Sequence, residues 1–227
     1  MSPVDSPRFA LWLALAVAVC SFILWCFMPT DPLVHLVEEG QLVENLTLIA
    51  YAVTILYLLL QPAVMITLRT KAAVIMALLA MTAREADLHK AIADMSMLKL
   101  RFWTGGLPGI DKLTGLLVLM PIVVACLYLL IHYAMPTIRA VKACRAYAVT
   151  IATFIGLIAL TNGIDRSLGI IKEWTGWHAP EWLVALQTSQ EEFLELLLPL
   201  LVVVATFQYR RYTLSRHAVN RPAGSVL

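Results

Sequence analysis

Apolar residues come in runs of membrane length separated by short polar stretches. The longest runs lie at 9–28, 42–67, 113–134 and 146–164, and two shorter ones, 72–83 and 196–209, continue into charged sequence. A hydrocarbon core about 30 Å thick takes about twenty helical residues. The pattern therefore predicts an all-α fold: an integral membrane bundle of six transmembrane helices, over 9–28, 42–67, 72–98, 113–134, 146–164 and 181–209. Pro29 stops the first helix, Pro62 and Pro199 kink the second and sixth, and Pro136 ends the fourth. Asp165-Arg166 closes the fifth. Thr30–Gly40 reads as a connector, and Gly105, Gly106, Pro108 and Gly109 read as a loop. Residues 1–216 form one domain, followed by a disordered cytoplasmic tail over 217–227.

Charge orients the bundle. With the N-terminus inside, ten of the seventeen Lys and Arg fall inside, and fourteen of the fifteen acids fall outside, only Asp5 remaining in. That basic excess places both termini in the cytoplasm. The inner face should be drawn to anionic lipid headgroups. The expected partners are membrane lipids and a lipid-linked substrate, with no nucleic acid, and the expected location is the bacterial inner membrane. The four cysteines have no metal-site spacing and read as small packing residues. The first apolar run is longer than a signal-peptide core and lacks a small-x-small cleavage site, so it reads as a retained helix. Trp174, Trp177 and Trp182 mark an outer aromatic belt.

Some acids lie too deep to be loop residues. Counted from Lys71, Glu85 sits about 21 Å up and His89 about 27 Å. Counted back from Arg210, Glu195 sits about 22 Å up and Glu191 about 28 Å. Glu85 and Glu195 thus share one level in the outer half of the hydrocarbon, and His89 and Glu191 share the next. Glu85 and His89 are i, i+4, as are Glu191 and Glu195, so each pair lies on one helix face. Lipid-facing charge at that depth is costly, which turns these groups toward the bundle interior or an outward-facing cavity. Glu44 and Asp165 lie nearer the outer rim.

Carboxylates with an imidazole on facing helices resemble the ligand sets of divalent metal ions. The candidate metal ligands are Glu85, His89, Glu191, Glu195 and Glu44. Asp87 and Glu192 are the candidate catalytic bases. Arg84, Lys99, Arg101, Lys112, Asp165 and Arg166 are the candidate substrate-binding groups, and Lys99, Arg101 and Lys112 suit an anionic headgroup. A divalent metal ion would activate water or polarise a carbonyl or phosphoryl oxygen of a lipid or lipid-linked substrate. Two other readings stand beside this metal-dependent membrane hydrolase. The acids could form a salt-bridge network with Arg84, Lys90, Lys99, Arg101, Lys112 and Arg166. They could also relay ions or protons in a non-enzymatic membrane subunit or carrier. Lys99-Leu100-Arg101-Phe102-Trp103 reads as an interfacial segment, with cations at lipid phosphates.

The runs Glu44-Asn45-Leu46-Thr47, Arg84-Glu85-x-Asp87-x-His89-Lys90, Lys99-x-Arg101-Phe102 and Glu191-Glu192-x-x-Glu195 resemble those of a family of bacterial multi-pass inner-membrane proteins. The resemblance covers most of the chain and implies the fold and location but no assigned activity. Membrane hydrolases of the alkaline ceramidase type are similar as helical bundles with an intramembrane metal. Their His-x-x-x-His pair is replaced in the last helix here by Glu191-x-x-x-Glu195, so the likeness is one of architecture.

Overall fold

The computed structural model describes residues 2–37, 40–62, 66–88 and 95–219, and no strand occurs among them. A 3-10 turn at Pro3–Asp5 precedes eight helices among these residues: α1 (Phe9–Phe27), α2 (Thr30–Val37), α3 (Leu42–Leu60), α4 (Leu68–Glu85), α5 (Leu100–Thr104), α6 (Gly109–Lys142), α7 (Ala146–Thr175) and α8 (Glu181–Val219). Five stretches are long and apolar enough to cross a membrane: Phe9–Phe27, Thr30–Leu60, Gly109–Lys142, Ala146–Thr175 and Glu181–Ser215. Large apolar side chains such as Trp12, Leu117, Leu130 and Ile131 stand exposed along these helices. Such surface is unfavourable in water and suits lipid, so the chain reads as a membrane protein.

Several helix boundaries differ from the sequence expectation, each for a local reason. Thr30–Val37 is a helix rather than a connector. Asp31 favours the positive end of the helix dipole, and Pro32 is tolerated because a first-turn N–H has no helical partner. Pro62 does not kink the second span; α3 stops at Leu60. A proline disfavours helical backbone in the residue before it. The helix expected over 72–98 stops at Glu85, where Asp87 adopts φ 51°. A short polar side chain tolerates this left-handed conformation, which commonly closes a helix. Pro136 does not end α6, which continues through Pro121 and Pro136 to Lys142. Proline's fixed φ is helical, and membrane helices absorb the lost backbone bond. Asp165-Arg166 does not close α7, which runs on to Thr175. Gly176 ends it at φ 69°, donating its N–H to the Lys172 carbonyl at 2.9 Å. The last helix extends to Val219, into the expected tail; 220–227 lie outside the described residues.

The residues divide into two compact units, 1–47 with 137–227, and 48–136. In the first, α8 packs against α7, α1 and α2. Side chains clip α8 and these neighbours together through backbone carbonyls. Gln190 Nε2 donates to Ala18 O at 3.1 Å, Trp25 Nε1 to Trp182 O at 2.9 Å, and Gln187 Nε2 to Ile164 O at 2.6 Å. Buried Gln208 joins three segments: it accepts from Thr150 Oγ1 at 2.7 Å and donates to Val4 O at 2.7 Å. Arg211 and Asp5 pair beside it at 2.8 Å. The registers 4–208, 18–190 and 25–182 run α1 antiparallel to α8; 150–208 and 164–187 do the same for α7.

In the second unit the ends of helices carry the polar bonds. Buried Lys71, in the first turn of α4, donates from Nζ to the carbonyls of Leu59 and Gln61 at the end of α3. These carbonyls have no helical donor, and a cation beside them also complements the helix dipole. Next to it, Thr70 Oγ1 lies 2.8 Å from Thr67 Oγ1 and 2.6 Å from Tyr133 OH.

Candidate functional site

The acids of α8 are placed by an unbroken helix. Because α8 is helical from Glu181 to Val219, the rise of about 22 Å from Arg210 back to Glu195 holds. Glu195 is 5% exposed and is flanked by buried Leu194, Leu197 and Leu198. Glu191 and Glu192 are half-buried one turn further toward the N-terminal end. Pro199 follows Glu195 by four residues and has no N–H to give its carbonyl. The interior of this unit is polar in small groups: Ser21 on α1, Thr161 on α7 and Ser189 on α8 are fully buried hydroxyls. A carboxylate offers only acceptors, so its buried neighbours must be donors or a cation.

The remaining predicted residues divide between the units. Asp165 and Arg166 on α7 are exposed, and Gln187 of α8 donates to the Asp165 carbonyl at 2.6 Å, one turn from Glu191. Glu44 serves its own helix: it accepts the Gly40 N–H, as a Glu in the first turn of a capping box does. Asn45 closes the same turn, donating to the carbonyls of Gly40 and Gln41.

Arg84, Glu85 and Asp87 end α4 in the second unit. Glu85 keeps its place about 21 Å from Lys71, since α4 is continuous between them. The depth of about 27 Å assigned to His89 required one more helical turn, and the helix stops before it. His89 itself lies outside the described residues. Lys99 and Arg101 are exposed, whereas Lys112 donates from Nζ to the Gly105 carbonyl at 2.8 Å. Among the described residues, no three His, Cys, Asp or Glu side chains group as a metal site. The carboxylates of α8 suit a hard cation chemically but supply only part of a coordination shell by themselves.

The structure also joins residues that sequence reasoning left apart. A cleft of about 450 Å³ in the first unit is lined by Thr30, Asp31, Val34, His35, Ala179, Glu181 and Val184. Helical spacing of Asp31 and His35 was the available signal, hidden because Thr30–Gly40 read as a connector. No protein-family model, curated protein or solved structure matches the chain. Its function is therefore read from its own chemistry.

Proposed function

We propose that the chain is a bacterial inner-membrane protein whose α8 carboxylates form an outward-facing cation site. Glu195 carries this reading, as a nearly fully buried carboxylate midway along a membrane-length helix. Ionisable groups at such positions are expensive and mark functional sites by default. Glu191 and Glu192 extend the acceptor set along the same helix. A divalent ion held there would polarise a carbonyl or phosphoryl oxygen of a lipid or lipid-linked substrate. Glu192 is the candidate base, and Asp165 and Arg166, exposed on α7 about 14 Å of helix short of its end at Thr175, are the candidates to meet a headgroup.

Six crossings, with residues 4–5 and 208–211 on the cytoplasmic side, complete the proposal. Parity supports it. The bonds of Gln208 to Val4 and of Arg211 to Asp5 hold the start of α1 and the end of α8 at one face of the first unit. A chain that leaves and returns to one face crosses an even number of times, yet five stretches qualify by length and composition. The candidate for the sixth is α4, whose 18 residues span about 27 Å. Its four charges lie at its two ends, Arg69 and Lys71 at one and Arg84 and Glu85 at the other. Cysteine labelling at Thr67 and Gly106 should find them on opposite sides of the membrane. Labelling from one side would remove α4 from the count.

A second reading has its own observation: Gln187, Gln190 and Gln208 use α8 as a packing spine, which fits a structural subunit whose acids pair with bases or relay protons. Glu195→Gln separates the two. For a cation site, divalent ions should raise the thermal stability of the wild-type chain but not of the variant, and the metal-free proteins should match. A cation-independent loss of about 3–5 kcal/mol, the cost of breaking a buried ion pair, would favour the structural reading.

A further inference from the structure

We infer that residues 98–101 of the second unit form a docking point for anionic phospholipid headgroups, at the leaflet where α6 begins. The placement comes from packing rather than from hydropathy. Phe102 of α5 is fully buried against Gly115 of α6, so closely that a Cβ at Gly115 would meet its ring at 2.9 Å. Trp103 Nε1 donates to the Met97 carbonyl at 2.9 Å, and Lys112 Nζ reaches back to Gly105. These contacts pin α5 beside the first turns of α6. From its first turn α6 exposes Ile110, Leu113, Leu116, Leu117 and Val118, the beginning of its lipid-facing run. The level of α5 is therefore the boundary between headgroups and acyl chains.

What this pinned turn presents outward has two chemistries. Leu98 is 62% exposed and Leu100 76% exposed, and between and after them stand exposed Lys99 and Arg101. Among the described residues neither cation has an ion-pair partner. Leucines at the acyl boundary with cations at phosphate height complement an anionic phospholipid in both charge and polarity. The side chains that fix the turn are different ones, so the presenting residues are free of a packing role. This inference stands apart from the α8 site and survives its failure.

The test uses the full chain in phosphatidylcholine vesicles with phosphatidylglycerol, one or the other lipid brominated. Trp103 reports locally through the part of the emission that Trp103→Phe removes. In the wild type, brominated phosphatidylglycerol should quench Trp103 more effectively than brominated phosphatidylcholine. Each cation near an anionic surface is worth about a fivefold preference, so the double change Lys99→Gln with Arg101→Gln should lower the preference by roughly 30-fold at most. High salt should weaken the wild-type preference in the same direction, a measurement that needs no variant. Equal quenching by the two lipids in the wild type, or a preference unmoved by both salt and the double change, overturns the inference.

Discussion

The two compact units bury polar groups in different places. In the second, Lys71 and Thr70 sit in the first turn of α4 and Ser96 lies outside any helix; Thr54, midway along α3, is the exception. In the first, Ser21, Thr161, Ser189, Glu195 and Gln208 all sit within helices. The difference is one of available partners. A helix end leaves carbonyls without donors, so a buried ammonium there is satisfied by backbone, as Lys71 is. Midway along a helix the backbone ladder is already formed, and a carboxylate must look to side chains or a ligand. Backbone carbonyls therefore account for the buried charge at Lys71, whereas at Glu195 the backbone ladder cannot.

The comparison breaks if Lys71 proves dispensable. Hydrogen bonds to charged groups contribute about 1.5–3 kcal/mol, so Lys71→Met should lower stability by about 3 kcal/mol. Thermal unfolding in detergent measures it, and an unchanged midpoint would show that the α3 end needs no cation. Gly115→Ala sharpens the picture of the second unit. Its new methyl overlaps the Phe102 ring, and overpacking of this kind costs about 1–3 kcal/mol. Combining it with Phe102→Leu should recover part of the loss in the same assay. The smallest effect belongs to Arg211→Gln. Its pair with Asp5 is partly exposed and should be worth less than about 1 kcal/mol, since buried Gln208 holds the same segment.

Periodicity and apolar length revealed the helices, because burial in lipid selects for long apolar runs whatever the tertiary arrangement. Glu195 was also legible, since its depth follows from counting residues along one unbroken helix. His89, placed by the same count, lies outside the described residues; the end of α4 at Glu85 was not legible, because the left-handed backbone at Asp87 is not announced by a helical charge pattern. Glu44 was legible as an acid but not as a cap, because nothing in a single helix pattern distinguishes a ligand from a group bonded to its own turn.

By itself the sequence determined the helical class and the presence of apolar stretches long enough to cross a membrane, which depend on local composition and rise per residue. The tertiary structure alone decided that Lys71 closes α3 and that Gln208 and Arg211 return α8 to the face where α1 begins. Those are contacts between segments up to 206 residues apart, and no local periodicity encodes which distant carbonyl a side chain will meet.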